Sequence, residues 1–78
     1  MSIYKTDVVA IKKRMAEKKI DTIVELSERS GIHRNTLAKV LKEEAQPSSD
    51  TMEKLVFALE FSPQEAGCVF FGLHLRHA

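Results

Sequence analysis

The sequence predicts an all-α domain built from five short helices. Apolar residues recur at helical spacing along most of the 78 residues, and no useful run alternates apolar and polar residues as a strand would. Only three Gly and two Pro interrupt the chain. Its length and its 44% hydrophobic content fit one compact globular domain, which we place at residues 1–71 with a C-terminal tail at 72–78.

Helix 1 is predicted over about residues 7–19. Thr6 or Asp7 is a suitable N-cap, because a short polar side chain can accept a hydrogen bond from the free N–H groups of the first turn. Val8, Ile11 and Met15 recur at helical spacing and are predicted to face the core, with Val9 added to the same stripe.

Helix 2 and the turn after it have the clearest boundaries. Thr22 and Glu25 have the spacing of a capping box, in which each side chain accepts a hydrogen bond from the other residue's backbone N–H. The helix is predicted to end at residues 29–30, before Gly31, since glycine readily adopts the left-handed conformation that ends a helix. Ile32 is expected to lie buried under the corner.

Helix 3 is predicted over residues 33–42, with one apolar and one polar face. Leu37, Val40 and Leu41 share the apolar face, and no Asp or Glu occurs between His33 and Lys42. The opposite face is basic and carries an amide and a small residue: Arg34, Asn35, Ala38, Lys39 and Lys42.

The last two helices follow a short loop at residues 45–49. Helix 4 is predicted over about residues 50–60, with its apolar stripe at Met52, Leu55, Val56 and Leu59. Helix 5 begins with the sequence Ser62-Pro63-Gln64-Glu65, in which Ser and Glu form a capping box and Pro takes the first helical position. Its apolar residues are Ala66, Val69, Phe70 and Phe71.

Helices 2 and 3, joined by a tight turn with a Gly, predict a helix-turn-helix. In such a motif the outward residues near the start of the second helix contact base edges in the major groove. Arg pairs with guanine, Asn pairs with adenine, and a small residue lets the helix approach closely. The predicted base-reading residues are Arg34, Asn35, Ala38 and Lys39. The predicted DNA-backbone contacts are Thr22, His33, Thr36, Lys42 and Ser48.

Three blocks of sequence resemble the Cro/C1-type (XRE-like) helix-turn-helix family. They are LSERSGIHRNTL at 26–37, QPS at 46–48 and LVFALEFSP at 55–63. The resemblance implies a five-helix, lambda-repressor-like domain whose third helix reads DNA and whose residues near 47–48 approach the DNA backbone. It also implies a dimer contact through helix 5 and the tail. The small size is similar to that of a phage Cro-like regulator or a modulator of repression.

The chain departs from the family pattern at three places. Ile23 stands where the family often has a Gln that anchors to phosphate, and His33 stands where Ser or Thr usually caps helix 3. Glu43 and Glu44 follow helix 3 where the family often has Gly. Two carboxylates beside a duplex would repel its phosphates.

The predicted function is sequence-specific binding of a double-stranded DNA operator by a transcriptional regulator, expected as a homodimer. The alternative is a modulator that uses the same fold to bind a partner repressor protein, which the net charge of only +1 favours. The apolar C-terminal residues are expected at a protein interface, because so small a domain cannot bury them all. They are Phe61, Phe70, Phe71, Leu73 and Leu75.

Several classes of function are not expected. The sequence offers no nucleophile–base pair and no Gly-rich phosphate loop, so we predict neither an enzyme nor a cofactor. One cysteine, Cys68, provides neither a disulfide nor a Cys-based metal site. No apolar run approaches the roughly 20 residues that cross a bilayer, and no secretory leader opens the chain, so the expected location is cytoplasmic.

Overall fold

Five α-helices form the fold in the computed structural model, which describes residues 5–72. They are α1 (Val8–Glu17), α2 (Ile23–Ser30), α3 (Arg34–Leu41), α4 (Ser49–Leu59) and α5 (Pro63–Phe71). No strand occurs within residues 5–72. The predicted all-α class is confirmed, and the helix ends differ from the predicted ones by at most two residues.

The core is an apolar cluster to which all five helices contribute. α2 packs against α3 and α4, and α1 packs against α4 and α5. Ile11, Leu26, Leu37 and Leu59 are completely buried. Truncating one of these leucines to Ala would cost about 2–5 kcal/mol, because the lost contacts leave a cavity. The helix that carries the basic face is therefore fixed through its apolar side.

The helix caps confirm most of the predicted starts. The Ser62 side chain accepts from the Glu65 N–H at 3.1 Å and the Glu65 side chain accepts from the Ser62 N–H at 2.8 Å, so the capping box of α5 is complete. Thr22 caps α2 by accepting from the Glu25 N–H at 3.1 Å. The predicted box at α2 was wrong in its second half, since the Glu25 carboxylate accepts from the Asp21 N–H instead.

The turn between α2 and α3 depends on the backbone of one glycine. Gly31 has φ of +78°, and its N–H donates to the Ser27 carbonyl at 2.9 Å. A Cβ at this position would meet no atom within 4 Å, so only the left-handed conformation selects Gly. Ser27 Oγ donates to the Ile32 carbonyl at 2.6 Å, and the Ile32 N–H donates to Ser30 Oγ. Ile32 is buried under the corner as predicted.

Arg14 joins α1 to the corner between α4 and α5. Its Nη1 donates to the backbone carbonyls of Leu59 and Glu60, each at 3.0 Å. Its Nε pairs with Glu17 at 3.0 Å, and its Nη2 pairs with Glu65. We call this cluster the Arg14 corner. One guanidinium therefore contacts partners far apart in the sequence.

Packing and a second ion pair reinforce the Arg14 corner. The Arg14 guanidinium carbon lies 4.8 Å from the centre of the Phe61 ring, and only 18% of the Arg14 side chain is exposed. Lys18 pairs with Glu60 at 2.9 Å, and that hydrogen bond lowers the pKa of the Glu60 carboxyl. The backbone N–H of Ser62 is the main cause that lowers the pKa of Glu65.

Among the residues that the structure describes, no helix has the length and apolar character needed to span a membrane.

Candidate nucleic-acid interface

α3 begins at an unusual cap. His33 has extended backbone, and its Nδ1 accepts a hydrogen bond from the Asn35 N–H at 3.1 Å. An accepting Nδ1 carries no proton, so the ring proton of this neutral tautomer is on Nε2. Histidine thus performs the capping role that Ser or Thr would perform, and it places an N–H donor at the start of the helix.

One face of α3 is fixed in the core and the other faces solvent. Leu37, Val40 and Leu41 are buried, as their spacing predicted. Arg34, Asn35, Thr36 and Lys39 are exposed, and Ala38 lies among them, partly buried. The structure therefore presents the four predicted base-reading residues on one short helix, beginning in its first turn.

The cations of this surface form no ion pair with any residue that the structure describes. Among residues 5–72, the ion pairs do not include Arg34, Lys39 or Lys42. The segment 33–42 contains no carboxylate. We call the exposed side of α3 with Lys42 the α3 face. Its guanidinium, amide and ammonium groups are available to a ligand with acceptor atoms, such as base edges or phosphates.

The predicted backbone contacts lie at the ends of helices. Thr22 is exposed at the start of α2, and Lys42 is exposed where α3 ends. Ser48 caps α4: its hydroxyl accepts from the Thr51 N–H at 3.2 Å and donates to Thr51 Oγ1 at 3.1 Å. Its hydroxyl proton is thus already used within the protein. Contacts of these residues with DNA remain predictions.

A family model described as the Cro/C1-type HTH DNA-binding domain matches residues 10–66, well over half of the chain. The chain belongs to this family. α2, Gly31 and α3 lie inside the matched range and form its helix-turn-helix. The family makes the chain a DNA-binding regulator in general terms. No curated protein and no solved structure matches the chain significantly.

The departure from the Cro/C1-type pattern after α3 has a structural consequence. Glu43 has φ of 61°, the left-handed conformation that favours glycine. Its N–H donates to the Val40 carbonyl, and the Glu44 N–H donates to the Lys39 carbonyl at 2.8 Å. Lys5 pairs with Glu43 at 3.3 Å and offsets its charge.

The predicted protein interface of this Cro/C1-type domain needs correction. Phe61 is 8% exposed and Phe70 is 2% exposed, so both belong to the core and their assignment to an interface was wrong. Their burial follows from packing across α1, α4 and α5, which apolar character alone does not reveal. Phe71 is 41% exposed, and its place at an interface stays a prediction. Leu73 and Leu75 lie outside the described residues.

Sequence reasoning missed a larger exposed aromatic group. Phe57 on α4 is 77% exposed. Val9 on α1 is exposed to the same fraction, so its predicted place in the buried stripe of helix 1 was wrong. The signal was present in the sequence, since Phe57 falls outside the stripe formed by Leu55, Val56 and Leu59. Its phenyl ring is a large apolar group in contact with solvent.

Proposed function

We propose that the chain is a sequence-specific transcriptional regulator of the Cro-like kind, which inserts α3 into the major groove of a double-stranded DNA operator. The observation that carries this proposal is the α3 face: exposed, free of carboxylates and with cations that no residue of the described range neutralises. A purely solvated helix surface would not need so complete an exclusion of acidic residues.

The base-reading roles follow from side-chain chemistry. Arg34 presents two parallel N–H donors to guanine O6 and N7, and Asn35 presents a donor and an acceptor to adenine N6 and N7. Ala38 is small enough for close approach and can contact a thymine methyl group. Lys39 donates to guanine acceptors from the next turn of the helix.

The remaining polar residues would fix the orientation of α3 through the phosphates. His33 donates through Nε2 while its Nδ1 caps the helix. Thr22 and Thr36 each supply a hydroxyl, and Lys42 supplies an ammonium group. Ser48 lies at the start of α4, and its backbone approaches the sugar–phosphate strand of the DNA. A regulator of this kind acts in the cytoplasm, where the DNA is.

A homodimer would place two copies of α3 about 34 Å apart, one turn of DNA. It would act by occupying its operator and excluding other proteins. Phe71, with the apolar residues Leu73 and Leu75 that follow it in the sequence, would supply the contact between the copies.

The test is selection from a random duplex library with the purified protein, followed by sequencing. We expect enrichment of a two-fold symmetric site with half-site centres about 10 bp apart. Arg34→Ala and Asn35→Ala should each relax the preference at one base position. Unchanged affinity and unchanged base preference in both variants would contradict the assigned reading face.

A modulator that binds a partner repressor is the second candidate, and the exposed ring of Phe57 favours it. An apolar contact of this kind depends little on salt, whereas DNA binding weakens steeply because phosphate neutralisation releases counterions. Failure to enrich any duplex with a folded sample would favour this candidate. The next experiment would then be binding to the purified repressor, with Phe57→Ser expected to weaken it and Val9→Ser as the matched exposed control.

A further inference from the structure

The lysines of α1 and its C-terminal end lie on different sides of the molecule. Lys18 pairs with Glu60 at the Arg14 corner. Lys13 lines a groove between α1 and α5. Lys12 lines another groove, to which Lys42 at the end of α3 also contributes. The sequence gives these lysines the same appearance, and the fold distinguishes them.

We call the space beside Lys12 the α1–α3 groove. It has a volume of about 450 Å³ and lies between α1, the start of α2 and the end of α3. Its remaining lining is mainly apolar and comes from Met15, Ala16, Ile20, Ile23, Ala38 and Leu41. Asp21 contributes one carboxylate.

The two ammonium groups of this groove belong to Lys12 and Lys42. Neither Lys12 nor Lys42 forms an ion pair within residues 5–72, and both are exposed. Ile23 supplies only an alkyl chain at this site. Asp21 forms no ion pair with either lysine within these residues. Two ammonium groups and one carboxylate leave the groove with a net positive charge that an anionic ligand can balance.

The α1–α3 groove is continuous with the α3 face, because Ala38 and Lys42 belong to both. When α3 lies in a major groove, the neighbouring surface of the protein faces the sugar–phosphate strand that borders that groove. Lysine ammonium groups bind phosphate as point charges. The apolar lining suits the deoxyribose beside it.

We propose that Lys12 and Lys42 together form a phosphate-binding site in the α1–α3 groove, which extends the DNA contact from the helix-turn-helix to α1. The inference rests on the proposed DNA-binding function and adds to it a residue outside the reading helix. The Asp21 carboxylate in the same groove repels the incoming phosphate and so lowers the affinity of the site.

The experiment measures binding of a labelled mixed-sequence 20-bp duplex by fluorescence anisotropy between about 20 and 400 mM salt. Each phosphate contact contributes about −0.9 to the slope of log K against log salt. Lys12→Gln should make the slope shallower by about 0.9 and weaken binding roughly 5- to 10-fold at 0.1 M salt. Asp21→Asn should strengthen binding, because the opposing charge is removed.

Two control variants separate the possible outcomes. Lys13→Gln removes the same charge one residue away. Its salt slope should stay within about 0.2 of that of the parent protein, and its affinity should stay within about twofold. Lys42→Gln should behave as Lys12→Gln does. If Lys42→Gln weakens binding and Lys12→Gln matches Lys13→Gln, the extension to α1 is refuted while DNA binding stands. If the folded parent protein binds no duplex even at 20 mM salt, the proposed function fails first.

Discussion

Arg14 and Arg34 are both arginines on short helices of one small domain, yet the protein uses them in opposite ways. Arg14 is largely buried and contacts two carboxylates, two carbonyls and a phenyl ring. Arg34 is exposed and lies on a surface without carboxylates. The partners of a cation, rather than its place in a basic segment, therefore show whether it stabilises the fold or is available to a ligand.

The largest effect we expect concerns stability at the Arg14 corner. Arg14→Met keeps most of the apolar stem but leaves the Leu59 and Glu60 carbonyls and the Glu65 carboxylate without their donor. Hydrogen bonds to charged groups contribute about 1.5–3 kcal/mol each, so we expect a loss of about 2–3 kcal/mol in the free energy of unfolding. Urea unfolding followed by circular dichroism measures it. Arg34→Met, the matched control, should change stability by less than about 0.5 kcal/mol.

The second prediction reverses the comparison by measuring DNA recognition. Arg34→Met should reduce discrimination at one base pair by about 1–3 kcal/mol, the range for a bidentate contact. Arg14→Met should leave base preference unchanged at a temperature where both variants are folded. Competition between the selected operator and its single-base variants gives both values. A loss of discrimination in Arg14→Met, with the fold intact, would show that the two regions are not separate.

Sequence reasoning predicted the fold well because its signals are local. The Ser62–Glu65 box, the Thr22 cap and the Gly31 turn each depend on residues within a few positions of one another. It did not predict the Arg14 corner, since Arg14 and Glu65 are distant in the sequence and meet only after the helices pack.

The candidate site was predictable in part for the same reason. The α3 face is a property of one helix and its exclusion of acidic residues, so it can be read from consecutive positions. Phe61 and Phe70 could not be assigned from the sequence, because an apolar residue near the end of a small domain suits a core and an interface equally well. The sequence does not distinguish Lys12 from Lys13 either, since only the packing of α1 decides which groove each one lines.

The third prediction uses pH to weaken the Arg14 corner. Glu60 and Glu65 have pKa values lowered from 4.5 in the folded protein. A lowered pKa stabilises the folded state above the unfolded value, and this stability is lost as pH falls through the folded pKa. We therefore expect the free energy of unfolding to decrease when the pH is lowered below about 4.5. The decrease should be modest, because both carboxylates are exposed.

Glu65→Gln tests this assignment. Gln still accepts the hydrogen bond from the Ser62 N–H but does not titrate, so the loss of stability in acid should become shallower. Glu53→Gln serves as the control, since Glu53 is exposed and forms no ion pair within the described part of the chain. Equal acid profiles for the two variants would show that the Arg14 corner does not cause the pH dependence.

The smallest effect concerns the acidic end of the α3 face. Glu43 holds a left-handed backbone conformation that costs a residue with a Cβ about 1–2 kcal/mol. Glu43→Gly removes this cost. It also makes the unfolded chain more flexible, which favours unfolding by about 0.5–1 kcal/mol, and it removes the exposed ion pair with Lys5. We expect a net gain of about 0.5 kcal/mol in stability. Glu44→Gly lacks the conformational benefit and should lose about 0.5–1 kcal/mol.

DNA binding should respond to these two variants in a different way from stability. Each removes one carboxylate next to the cations of the α3 face, so each should tighten duplex binding at low salt by a similar factor, with the gain shrinking as salt screens the charges. Glu43→Gly alone should combine tighter binding with higher stability. If both variants lose stability equally, the left-handed conformation of Glu43 stores no strain, and the residue acts at the DNA surface through its charge alone.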